Sequence, residues 1–185
     1  MKKFITILAV SMLGITANAQ WGVKGGANFA MLTGDDADGL KTLVGFYGGV
    51  FDNFKINDMF SFQPELVFSG QGAGIEDSDG ARIRLNYLNL SPLFRYNSKG
   101  FFAGTGPQIG FLLSAHLKDD NASVDFKDNV KSTDFAWAFM VGYEMPSGFG
   151  FYGRYNLGLA NIAEDGEIKN SVFQLGLRYS FLRPR

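Results

Sequence analysis

Six charged side chains are the residues of this chain best placed to do chemistry: Lys24, Glu65, Arg95, Glu144, Arg154 and Arg178. Each sits in a segment where apolar and polar residues alternate, and each has the parity opposite to its apolar neighbours, as do Gln63, Gln108 and Gln174. Alternation with a period of two marks a strand between unlike environments. Charges on an enclosed side need partners, and both signs are present here. Glu65 and Arg95 fall on consecutive antiparallel segments and are candidate partners. The set as a whole is expected to form a rigidifying lumenal network.

Two other patterns invite a chemical reading. His116 is the only histidine, and Ser114 lies two residues before it, so both project to one side of a strand end. A serine hydrolase needs such a pair plus an acid, and only geometry defines the site. No residue marks that acid, so His116 reads as an edge histidine with no catalytic role. Asp36-Ala37-Asp38-Gly39 and Asp77-Ser78-Asp79-Gly80 repeat an Asp-x-Asp-Gly pattern. Calcium favours several oxygen ligands around a sharp glycine turn. Neither segment completes a twelve-residue calcium loop, and ordinary Asp/Gly turns use the same residues. Asp36, Asp38, Asp77 and Asp79 are therefore candidate divalent-cation ligands only, and no cofactor is expected.

The elements that must position these residues are eight alternating runs. They span about 21–31, 44–54, 60–71, 82–96, 101–114, 133–144, 149–160 and 171–182. The third is the plainest: Phe60, Phe62, Pro64, Leu66 and Phe68 against Ser61, Gln63, Glu65 and Ser69. Pro64 lacks an N–H and is expected at a bulge. Short turns follow the second, fourth and sixth runs, at 55–58, 97–100 and 145–148. Long acidic loops follow the first, third, fifth and seventh, the longest being 116–132. Outer-membrane barrels show this asymmetry, with short periplasmic turns and longer outer loops.

The ends and composition agree with export. Lys2 and Lys3, an apolar stretch over 4–15 and Ala17-Asn18-Ala19 read as a signal peptide over 1–19, cleaved before Gln20. The apolar stretch is shorter than the roughly 20 residues a spanning helix needs. Residues 20–185 then form one barrel domain. The chain has no cysteine, so it carries neither a disulfide framework nor a lipoprotein anchor. The formal net charge of −1, more negative once Lys2 and Lys3 are removed, gives no support for nucleic acid as a partner. Nineteen Phe, seven Tyr and two Trp supply a lipid-facing surface. Tyr96, Phe101, Tyr143, Phe149, Phe151, Tyr179 and Phe181 gather beside the short turns like an interfacial girdle.

Several ordered pieces carry a family likeness: Gly22-Val23-Lys24-Gly25-Gly26-Ala27-Asn28, Phe62-Gln63-Pro64-Glu65-Leu66, Asn86-Tyr87-Leu88-Asn89-Leu90-Ser91-Pro92-Leu93, Gly106-Pro107-Gln108-Ile109-Gly110, Arg154-Tyr155-Asn156-Leu157-Gly158-Leu159 and the closing 173–181. Together they resemble the PorT-like small outer-membrane β-barrel proteins of Bacteroidetes-type bacteria. The resemblance implies an eight-stranded barrel and no one activity. It departs at the end, where Leu182-Arg183-Pro184-Arg185 follow Phe181, the aromatic residue expected to close such a barrel.

These readings converge on an all-β fold: an eight-stranded antiparallel up-and-down transmembrane barrel in the outer membrane. The expected function is non-enzymatic, structural or surface-interacting. Its expected partners are outer-membrane lipid, the barrel-assembly machinery during insertion, and a surface or envelope protein. Two alternatives stand beside it. One is a rim-located lipid hydrolase using His116. The other is a soluble, lipocalin-like binder of apolar ligands with the two faces inverted.

Overall fold

The computed structural model describes residues 20–35, 37–76, 80–119, 122–163 and 167–181. The signal segment over 1–19 and the closing 182–185 lie outside them. Ten strands are present among the described residues: β1 (Gly22–Thr33), β2 (Leu40–Phe51), β3 (Phe54–Lys55), β4 (Phe60–Ile75), β5 (Arg82–Ser98), β6 (Phe101–Asp119), β7 (Ala122–Asp125), β8 (Thr133–Glu144), β9 (Phe149–Gly158) and β10 (Lys169–Ser180). Eight of them make the wall. Their order is β2-β1-β10-β9-β8-β6-β5-β4, and β4 pairs back onto β2, so the sheet closes on itself. All wall pairings are antiparallel, and the closing seam runs unbroken from Gly22 opposite Ser180 to Thr33 opposite Lys169. Closure leaves no wall edge unpaired, which lipid demands because it offers no hydrogen bonds.

The small elements lie at the ends. β3 is a two-residue stub on β4 in the 52–59 turn. β7 folds back on the outer end of β6. Residues 116–119, expected in a loop, continue β6 instead, because β5 and β7 both pair with that stretch. At the other end, Lys99 and Gly100 both have positive φ, 48° and 91°. That is the backbone of a primed two-residue hairpin turn, whose twist matches the flanking strands.

Alternation sets the two faces. Val44, Phe46, Phe94, Phe101, Phe139, Val141 and Phe151 point outward, Phe101 with 66% of its surface free. Arg154, Glu65, Gln63 and Asn156 point inward and are almost fully covered. The inverted faces of a soluble binder are thereby contradicted. The inner ends of the strands carry outward aromatic pairs: Phe60 with Tyr96, Phe101 with Tyr143, and Trp21 with Phe181. The one outward indole N–H at mid-wall is satisfied locally, since Trp137 Nε1 donates to Thr105 Oγ1 over 2.8 Å.

Pro64 is not at a bulge. It faces Pro92 in an unshifted β4–β5 register. Its nitrogen side faces the end of β2, where Asp52 N donates to the Pro64 carbonyl with no return bond needed. On the next strand, β5–β6 pairing stops after Leu90 opposite Ile109 and resumes at Phe94 opposite Thr105. Carrying that register through sets Pro92 opposite Pro107. Both amide donors of that ladder step are absent, which accounts for the gap.

True bulges occur higher up. One extra residue enters β2 between Thr42 and Tyr47. On β6, Leu113 is extra, because Asn86 pairs Ser114 while Tyr87 pairs Leu112. A bulge leaves ladder groups without partners. Asn28 meets this need at the first one: its Nδ2 donates to the carbonyls of Phe46 at 3.2 Å and Gly70 at 2.8 Å.

Candidate functional site

The lumen is filled in layers. Near its middle, Glu65 on β4 is fully buried and faces Lys24 from β1, whose Nζ lies 2.9 Å from both carboxylate oxygens. Arg154 of β9 donates to the same carboxylate from across the barrel, and Gln63 Nε2 donates to Oε1 at 2.7 Å. The rest of the Arg154 guanidinium is also held: Ser91 Oγ at 2.9 Å, Gln108 Oε1 at 2.8 Å and Asn156 Oδ1 at 2.6 Å. One carboxylate thus joins three strands that are not neighbours in the wall.

A second charged layer lies toward the short turns. Arg95 and Arg178 both donate to Gln63 Oε1 at 3.1 Å. Glu144 Oε2 sits 3.4 Å from Arg95 Nη2 and 3.3 Å from Arg178 Nε, the latter an ion pair without hydrogen-bond alignment. Both guanidinium groups stack on rings, Arg95 on Phe102 and Arg178 on Phe51, each 3.9 Å from the centroid. Gln63 couples the two layers, giving its N–H to Glu65 and its oxygen to both arginines. A cavity of about 320 Å³ opens below, lined by Arg95 and Glu144 with Asn53, Lys55, Asn97 and Lys99.

Six sequence-chosen residues, Lys24, Glu65, Arg95, Glu144, Arg154 and Arg178, therefore meet in one lumen. The candidate pair Glu65–Arg95 does not form. The register sets Glu65 opposite Ser91 and Arg95 opposite Ser61, four residues apart on each strand, with Gln63 between them. Each takes another partner at its own height.

Above the ion pairs the lumen is polar, with Asp134 as a buried acid, then apolar. Gln174 donates to Asn28 Oδ1 at 2.8 Å, and Gln71 to Ser69 Oγ at 2.9 Å. Asn170 reaches Gln71 and, at 3.1 Å, Asp134. Beyond them Leu32, Ala73, Leu85, Tyr87, Leu112, Ala115 and Ile162 close the outer end as an apolar plug.

Five inward aromatics were not read from the sequence: Tyr47, Phe51, Tyr87, Phe102 and Tyr152, all buried. Glycines opposite them make room. A Cβ on Gly176 would lie 1.8 Å from the Tyr47 hydroxyl, and one on Gly142 would lie 2.4 Å from the Phe102 ring. The signal was available, because Phe46-Tyr47, Val50-Phe51, Phe101-Phe102 and Phe151-Tyr152 are adjacent apolar pairs. One member of each must face inward.

The other candidate chemistry is not brought together. Ser114 Oγ accepts from Asn86 Nδ2 at 2.9 Å, and no hydrogen bond joins it to His116 among the described residues. His116 instead lies in register between Arg84 and Asp125. Of the candidate cation ligands, Asp36, Asp77 and Asp79 fall outside the described residues, and Asp38 is exposed in the first outer loop.

Sequence comparison decides the family. The outer membrane protein beta-barrel domain matches residues 13–164. The chain belongs to that family. No curated protein matches it. Among solved structures, this outer-membrane barrel resembles Neisserial surface protein A (NspA), with TM-score 0.56, 14% identity and coverage of 89% of this chain and 99% of that one. It also resembles Ail, the attachment invasion locus protein of Yersinia pestis, with TM-score 0.52, 14% identity and the same coverages. Ail in complex with the heparin analogue sucrose octasulfate gives TM-score 0.51 at 14% identity, again covering 89% and 99%. At these identities the likeness shows a shared fold. The outer-membrane barrel domain places the protein in the outer membrane.

Proposed function

We propose that this barrel is a non-enzymatic outer-membrane protein of the PorT-like type, with a structural or surface-interaction role exercised through its outer loops. The filled lumen carries this reading. Glu65 and Arg154 are buried and bonded across the barrel, and the apolar plug lies above them. An eight-stranded barrel filled in this way has no path for solutes. What remains for function is the outer end, where β6 and β7 project and the loops vary in length. Ail has been seen with a sulfated heparin analogue. The outer loops here carry both signs, Asp35, Asp38 and Glu76 with Lys127 and Lys131, and in this reading their partner is an envelope or surface protein. In this reading residues 1–19 direct export and are removed before Gln20, and assembly machinery inserts the barrel.

The test is fractionation of the native host, gel mobility before and after boiling, and N-terminal sequencing. Outer-membrane recovery, a heat-dependent shift and a start at Gln20 are the expected results. Steady conductance of the purified protein in planar bilayers would sink the closed-lumen reading. Phospholipid hydrolysis abolished by His116→Ala would sink the non-enzymatic one.

A further inference from the structure

The two bulges lie at one height and change which side chains face out. Below the β6 bulge the outward residues of β5 and β6 are apolar: Leu88 and Leu90 beside Ile109 and Phe111. Leu113 then shifts the parity of β6, so that Ser114, His116 and Lys118 join Asn86, Arg84 and Arg82 on the outward face. The Asn86–Ser114 hydrogen bond, and the burial of Leu85, Tyr87 and Ala115 in the plug behind, fix that orientation. The β2 bulge does the same for Lys41, whose side chain lies over Gly74 on the outer side of β4: a Cβ there would come within 2.8 Å of it. Gly72 and Gly74 occupy β4 between Lys41 and the arginines, and the Lys41 stem lies across Gly74.

The result is one cationic patch made of Lys41 on β2, Arg82 and Arg84 on β5 and Lys118 on β6, with His116 set among them. Asp125, opposite His116 on β7, is the carboxylate in register with it. None of the four Lys and Arg side chains has an ion-pair partner among the described residues.

Height identifies what the patch meets. Arg84 is twelve residues along β5 from Tyr96 in the inner aromatic girdle. At roughly 3.3 Å per residue and a tilt of about 40°, that is about 30 Å along the barrel axis, just beyond an apolar band about 25 Å tall. We propose that this outward patch binds the phosphate groups of an outer-leaflet lipid headgroup. The inference rests on the barrel's outer-membrane orientation, with its short turns on the periplasmic side. Arg forks match phosphate oxygens, and cations at the membrane surface gain from anionic headgroups.

Native mass spectrometry of the folded, full mature protein in maltoside micelles, titrated with diphosphoryl lipid A, tests the proposal. Arg82→Gln/Arg84→Gln/Lys118→Gln is expected to weaken binding about a hundredfold, roughly fivefold per cation. Lys41→Gln alone, on a separate strand, is expected to weaken it about fivefold. Lys169→Gln, on the opposite wall beside Thr33, should leave it unchanged. Lipid A stripped of phosphate should bind the wild type no better than it binds the triple variant. The heat-dependent gel shift reports whether each variant has folded, separately from lipid binding. Equal affinity of wild type and the two patch variants, or equal affinity for the phosphate-free lipid, would overturn the proposal. Loss of the outer-membrane orientation itself would appear as protease access to the short turns in intact cells.

Discussion

Glu65, in the inner half of the lumen, is held by Lys24, Arg154 and Gln63, whereas Leu85, equally buried in the outer half, is held by Leu32, Tyr87 and Leu112. One barrel therefore fills its two halves by opposite physics. The inner half is directional: each charge has specific partners, and losing one strands the others. The plug at the outer end is non-directional, and its cost on mutation follows the volume removed. The difference suits the strands that bear each half. Eight regular strands can present charges at set heights for cross-barrel bonding. Above the bulges the register shifts, and a plug that needs only apolar contact tolerates the change.

The largest expected effect breaks the inner half. Glu65→Ala leaves Lys24 and Arg154 buried without a counter-charge and is expected to cost about 4 kcal/mol. Urea unfolding from lipid vesicles, followed by gel mobility, measures it. Lys24→Gln should cost clearly less, because Arg154 and Gln63 still hold Glu65. Equal losses would mean that the carboxylate is not the hub. Next comes the outer face of the inner half: Phe139→Lys puts a charge into lipid and is expected to cost about 3 kcal/mol or to block insertion. If it is tolerated as well as Lys24→Gln, the assignment of faces is wrong.

The outer half is expected to yield less. Leu85→Ala should cost about 2.5 kcal/mol by the same unfolding assay, through its cavity alone. It should leave the inner half's amide protection intact. The smallest effect lies in the wall. Pro92→Ala restores one N–H to the interrupted β5–β6 step, and hydrogen exchange should show a newly protected amide there with a stability gain below about 1 kcal/mol. An amide that exchanges freely would mean that the two strands do not meet at that height.

Much of this was legible in the residues. Eight strands, their alternation, the three short turns and the six charged lumenal side chains all follow from a period of two. What was not legible depends on register. Glu65 and Arg95 look like partners on adjacent strands, yet a stagger of four residues sends them to Lys24 and Arg154 on one side and to Glu144 on the other. The inward rings of Tyr47 and Phe102 are legible only as one of two: Phe46-Tyr47 and Phe101-Phe102 are adjacent pairs, and the pair alone does not say which member takes the lipid face. A proline within a strand points to a bulge on general grounds, yet Pro64 sits in unshifted register. Neither real bulge, at 43–46 or at Leu113, carries a proline; Gly45 lies within the first, one glycine among many in these strands, and nothing marks the second.

The Pro92–Pro107 step has a mechanical consequence. Where a ladder step carries no bonds, two neighbouring strands are joined less stiffly than along a complete ladder. Under the side pressure of a bilayer the β5–β6 line is therefore expected to bend before the unbroken seam between the first and last strands.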